Sequence, residues 1–91
     1  MAISAEQRRF LRTFGLRLKT LRVQRDLTQD EMARKAGLHR TFLGQLERGQ
    51  RGINIAELPS LAAAFDLEIG ELFSDDALLR WPQPAARLPA P

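Results

Sequence analysis

The stretch from Thr28 to Gly49 constrains this chain most, because it specifies two short helices with almost nothing between them. Thr28 and Glu31 have the spacing of a capping box, in which each side chain accepts a hydrogen bond from the other residue's backbone N–H. A helix should therefore begin at Thr28. Gly37 should end it, because glycine takes the left-handed conformation without a steric cost. A second helix must follow at once, and Gly49 closes it.

Each of these two helices has one apolar side. The inward residues are Met32, Ala33 and Ala36 in the first, and Leu38, Phe42, Leu43 and Leu46 in the second. Helices joined by so tight a turn cross at a large angle, and the second projects its polar side as a rod that fits a DNA major groove. That side is rich in hydrogen-bond donors and consists of His39, Arg40, Thr41, Gly44, Gln45 and Arg48. Arg and Gln pair bidentately with base edges, so this surface is the predicted functional site.

The length of 91 residues predicts one domain with a tail. We place the domain at residues 1–74 and the tail, rich in Pro and Ala, at residues 75–91. The absence of cysteine fits a reducing cytoplasm, and no apolar run approaches the roughly 20 residues that a membrane span requires. We therefore expect a cytoplasmic protein that has no membrane partner.

The net charge of +3 conceals an asymmetry along the chain. Residues 1–52 hold 12 Lys/Arg against 5 Asp/Glu, whereas residues 53–76 hold no Lys/Arg and 6 Asp/Glu. A basic surface opposed to an acidic one is expected of a protein that docks on phosphates, although a merely uneven solvated surface is an equal alternative.

Further helices flank the central pair. Ser4 and Gln7 repeat the capping-box spacing and predict a first helix from about Ala5 to Arg25. Its apolar side is Phe10, Phe14, Leu18 and Leu21, joined by Leu11 and Leu16. Gly15 marks either a close approach or a break in that helix. Asn54 and Glu57 predict the start of a fourth helix, and a short fifth helix should run from about Ile69 to Phe73. The predicted fold is thus all-α with five helices.

The order of these elements resembles the Cro/C1-type, or Xre-like, helix-turn-helix family. The resemblance covers about residues 16–73 and rests on four motifs: T-Q-D-E-M-A at 28–33, A-G-L at 36–38, L-G-Q-L-E-R-G at 43–49 and L-x-x-L-A at 58–62. Within that family, R-T-F at 40–42 and E-R-G-Q-R-G-I at 47–53 look most like the controller proteins of restriction–modification systems. The resemblance implies a prokaryotic or phage transcription regulator, associated with the nucleoid when it is bound.

The resemblance also implies roles for particular residues. Arg40, Thr41, Gly44 and Gln45 would face the base edges, although a glycine at 44 offers no side chain to a base. Contacts to DNA phosphates would come from Gln29, Arg48 and Arg51. The His39 side chain, at the start of the second helix of the central pair, is a further candidate. Arg22 and Glu47 occupy the positions of a buried salt bridge in the family, which makes Glu47 structural.

Catalysis has little support in the sequence. There is one His, no Cys and no nucleophile, metalloprotease or phosphate-loop motif, so we expect neither an enzyme nor a cofactor or metal. One helix in one groove gives too few base contacts, so we expect a homodimer on a pseudo-palindromic operator. The predicted dimer interface is Ala64, Phe65, Ile69, Leu72 and Trp81. The alternative is an antitoxin that binds a toxin through residues 77–91 and regulates its own operon.

Overall fold

The computed structural model describes residues 3–75 of the chain. Within this range the chain forms four α-helices and two 3-10 helices and contains no strand, which confirms the all-α class. The α-helices are α1 (Ala5–Gln24), α2 (Gln29–Ala36), α3 (Arg40–Glu47) and α4 (Leu58–Ala64), and the 3-10 helices are Ile55–Glu57 and Ile69–Phe73. The predicted fifth helix is therefore a 3-10 helix. No helix in this part of the chain is long and apolar enough to cross a membrane.

Both capping boxes predicted for the first two helices are present. The Thr28 hydroxyl accepts from the Glu31 N–H at 3.1 Å, and the Glu31 carboxylate accepts from the Thr28 N–H at 2.9 Å. The hydrogen bonds that the Glu31 carboxylate accepts from the backbone and the hydroxyl of Thr28 hold its pKa below the ordinary value, because they favour the ionised form. Ser4 and Gln7 cap α1 in the same way. The starts of α1 and α2 are thus fixed by local sequence alone.

The fourth helix begins differently from the prediction. The Asn54 side chain accepts from the N–H of Ala56 at 2.9 Å instead of pairing with Glu57, and it starts a short 3-10 turn. The α-helix proper begins at Leu58, with Pro59 in its first turn. Pro is tolerated there because the N–H that it lacks would have no partner within the helix.

The four α-helices and the second 3-10 helix share one apolar core. Its buried members are Phe14, Leu18, Leu21, Met32, Ala33, Ala36, Leu43, Leu46, Leu58, Leu61, Ala62, Ala64, Phe65 and Leu72. Two residues of the predicted α1 stripe, Phe10 and Leu16, are instead 58% and 62% exposed. Leu16 is two residues from Phe14 and from Leu18, so it projects to the other side of the helix. Phe10 lies one turn before Phe14 and only stacks on its ring, at 6.4 Å between centroids.

Gly15 marks a close approach between α1 and α3. A methyl group at this position would lie 2.7 Å from the carbonyl oxygen of Glu47 and would collide with that of Leu46 as well. Because α1 continues through Gly15 without interruption, the alternative of a break in the helix is wrong. The absence of a side chain lets α1 cross directly over the C-terminal turn of α3.

We predict that Gly15→Ala destabilises the protein by about 1–3 kcal/mol, although Ala is the better helix former, because both obstructing atoms are backbone. The measurement is the free energy of unfolding in urea. Gly70→Ala is the matched control, since a methyl group there has no neighbour within 4 Å. Equal effects of the two substitutions would contradict the close approach.

Candidate nucleic-acid interface

Only three residues connect α2 to α3, and Gly37 sets their direction. Its φ of 70° is left-handed, and the next N–H, of Leu38, returns to the carbonyl of Ala33 at 2.8 Å. His39 then caps α3, its Nδ1 accepting from the N–H of Thr41 at 3.4 Å. The observed contact of His39 is thus the cap of α3. Its ring is exposed, and the phosphate contact through that ring remains a prediction.

A buried carboxylate holds α3 in place. The Glu47 side chain is 2% exposed, and its oxygens accept from Nε and Nη2 of Arg22 at 2.7 and 3.1 Å. The remaining Arg22 nitrogen, Nη1, donates to the carbonyl of Leu27 at 2.7 Å. This bidentate ion pair joins α1 to α3 through the two residues that the family resemblance implied. Glu47 therefore serves the structure and is not exposed to a DNA base.

The same carboxylate also binds the first residue of α2. Nε2 of Gln29 donates to Oε1 of Glu47 at 3.0 Å, so Glu47 connects α1, α2 and α3 at one point. An amide nitrogen carries two hydrogens, and this contact uses one of them. The second remains for the phosphate contact predicted for Gln29, whose side chain is now held in a fixed direction.

The outward face of α3 presents three of the four predicted base-contacting residues. Arg40 and Thr41 are exposed, and Gln45 is half-buried, with its Oε1 3.5 Å from a guanidinium nitrogen of Arg51. Thr41 and Gln45 are spaced i and i+4 and lie on one side of the helix, and Arg40 is their exposed neighbour at its start. This side faces solvent and has the donors that base edges require.

Gly44 corrects the prediction for the fourth position. It is buried, and a methyl group there would lie 3.2 Å from Nη1 of Arg48 and 3.7 Å from Nε2 of Gln29. Those two side chains cover it, so Gly44 is not placed to contact a base. Its lack of a side chain instead leaves the space in which the Arg48 and Gln29 side chains lie across α3.

The predicted phosphate ligands form two groups around the exposed α3 face. His39 and Arg51 line one shallow depression, where the Arg51 guanidinium lies 5.0 Å above the Phe42 ring. Gln29 and Arg48 form the other group, over Gly44. A helix whose exposed face is accompanied by cationic and amide donors fits a major groove, whose two walls are phosphate strands.

Sequence reasoning missed the residue that orients Arg48. The Nε of Arg48 donates to the Gln50 side chain at 3.1 Å, just beyond Gly49, whose φ of 73° ends the helix. The only signal for it in the sequence is the polar G-Q-R-G turn at residues 49–52.

The predicted dimer interface needs correction. Phe65 and Leu72 have no exposed surface and Ala64 is buried, because all three fill the core of the chain itself. Ile69 is 41% exposed and remains available. Trp81 and the rest of the tail after Asp75 lie outside the described residues. The predicted contact between the tail and a protein partner falls on those residues too.

Comparison with known proteins places these features in a family. A helix-turn-helix family profile matches residues 18–72, which include α2, α3 and the Glu47 network. The chain belongs to the Cro/C1-type helix-turn-helix family. This family consists of DNA-binding transcription regulators and not of enzymes.

Several members of this helix-turn-helix family are similar over much of the chain. The restriction–modification controller protein C.AhdI from Aeromonas hydrophila shares 42% identity, with 71% of this chain and 98% of C.AhdI covered at a TM-score of 0.69. Control protein C.MunI from Mycoplasma sp is 36% identical over 68% of this chain and 85% of its own length. The immunity repressor of Bacillus phage phi105 is 31% identical over 75% of this chain, which spans only 47% of that repressor.

We predict that Glu47→Ala destabilises the protein by about 3–5 kcal/mol, because it leaves the Arg22 guanidinium, whose side chain is only 12% exposed, without its partner. Chemical denaturation followed by circular dichroism measures the loss. Asp30→Ala, which breaks an exposed pair with Arg34, is the control and should cost less than about 1 kcal/mol. A small effect of Glu47→Ala would show that the network does not hold α3.

Proposed function

We propose that this protein is a sequence-specific regulator of transcription that binds double-stranded DNA as a homodimer on a pseudo-palindromic operator. The observation that carries the proposal is the exposed polar face of α3, held by the buried Glu47 network and flanked by two groups of phosphate ligands. Arg40, Thr41 and Gln45 contact base edges, whereas Gln29, His39, Arg48 and Arg51 contact phosphates.

We further propose that the regulated genes belong to a restriction–modification system. This proposal is supported by the similarity to C.AhdI and C.MunI, because the chain covers most of the length of both controller proteins. An operator found upstream of this protein's own gene and of an adjacent endonuclease gene would support it. An operator at unrelated genes would contradict it and leave the general regulator.

The function is tested by selecting duplexes from a randomised library with the purified protein. We predict an enriched motif with two-fold symmetry. Arg40→Ala should weaken binding to it by about 1–3 kcal/mol and relax the preference at one base position, because Arg40 reads a base edge. Arg51→Ala should weaken all sequences alike and make log affinity less dependent on log salt concentration, because Arg51 binds a phosphate.

The two substitutions are each other's control, since both remove one exposed Arg near the ends of α3. Identical changes in base preference and in salt dependence would contradict the assignment of readout to Arg40. No enriched motif with the wild-type protein would contradict the proposed function as a whole.

The dimer surface is proposed to lie around the exposed part of the second 3-10 helix. Because Phe65 and Leu72 are committed to the core, Ile69 is the predicted interface residue that the described chain leaves exposed. A charge placed there would be buried on association and would oppose it.

We predict that Ile69→Glu shifts the protein from dimer to monomer in light scattering and weakens operator binding at least tenfold. Ile55→Glu is the control, because Ile55 is also an isoleucine in a 3-10 helix and is 79% exposed. Retention of the dimer in Ile69→Glu would place the interface elsewhere.

A further inference from the structure

The first three turns of α1 lie outside the part of the chain that the family profile matches. The helix begins at Ala5, whereas the match begins at residue 18. Two arginines, Arg8 and Arg12, are four residues apart in this extension and therefore lie on one side of it. Both are exposed.

This side of α1 is brought against the turn that follows α3. A methyl group on Gly49 would lie 2.7 Å from the Cα of Arg12 and 3.0 Å from its backbone nitrogen, so the two backbones are in direct contact. Arg8 and Arg12 consequently line one depression together with Arg48, Gly49 and Gln50, and Ile3 completes its wall. Three arginines, two from the start of α1 and one from the end of α3, therefore line a single open depression.

Among residues 3–75, no carboxylate lines this depression. Other arginines of the described chain have acidic partners: Arg17 pairs with Asp75, Arg22 with Glu47 and Arg34 with Asp30. Among residues 3–75 no such ion pair is formed by Arg8 or Arg12. Like charges at i and i+4 destabilise a helix slightly, so the arrangement is unfavourable without an anion.

We infer that this depression binds a backbone phosphate of the same DNA duplex that α3 reads. The inference rests on the proposed function and extends the DNA contact beyond the matched helix-turn-helix. Arg48 provides the connection, because its side chain borders both this depression and the Gln29 group over Gly44. A phosphate strand that passes Arg48 would continue past Arg12 and then Arg8, one helical turn apart.

The test uses the full chain and the duplex enriched by the wild-type protein. Arg12→Gln and Arg8→Gln should each weaken binding roughly threefold to tenfold at physiological salt. Each should also lower the slope of log affinity against log salt by about 0.9, the value for one phosphate contact, without changing the base preference. Arg9→Gln is the matched control, since it removes the same charge from the same exposed turn but does not line the depression.

The possible outcomes separate this inference from the function on which it rests. Equal slopes for Arg9→Gln and Arg12→Gln would overturn the site, because only general charge would then matter. The site would also be overturned if Arg12→Gln changed self-association in the absence of DNA but left the slope of log affinity against log salt unchanged. The depression would then bind the acidic surface of a second copy. If the wild-type protein enriches no motif, the proposed function itself fails. Circular dichroism establishes that each variant is folded.

Discussion

The Glu47 carboxylate is the point on which the arrangement of this molecule depends. An eight-residue helix such as α3 is unstable by itself, so its orientation must come from contacts with its neighbours. The apolar core supplies most of the free energy, but apolar contacts allow small rotations. The two hydrogen bonds from Arg22 and the one from Gln29 have defined directions. They fix the rotation of α3 and, with it, the direction in which its polar face points.

Two close backbone approaches complement that polar network. Gly15 lets α1 cross the end of α3, and Gly49 lets Arg12 lie against the following turn. A glycine at a helix crossing contributes no side-chain packing, but it allows the two helix axes to lie close together. The same crossing brings cationic side chains from the start of α1 beside those at the end of α3.

Most features determined by neighbouring residues were predictable from the sequence, and most features determined by distant residues were not. The capping boxes and Gly37 involve residues within four positions of each other, so α1 and α2 were placed almost to the residue. The predicted start of α4 was wrong because the Asn54 side chain can accept a hydrogen bond from either of two nearby N–H groups. The prediction that Phe65 and Leu72 form the dimer interface was wrong because an apolar residue fits a core and an interface equally well. The space that Gly44 leaves for Arg48 depends on how the Arg48 side chain folds back over α3, whereas the sequence shows only a missing side chain.

The burial of α3 on one side only has a consequence for how proteins of this kind diversify. The residues that hold the helix, Leu43, Leu46 and Glu47, share no position with Arg40 and Thr41, which are exposed. Exposed positions usually tolerate replacement within about 0.5 kcal/mol, so new side chains at 40 and 41 are nearly free of any penalty in folding. Under the proposed function, replacements at these two positions would change the target sequence while the scaffold stays unchanged.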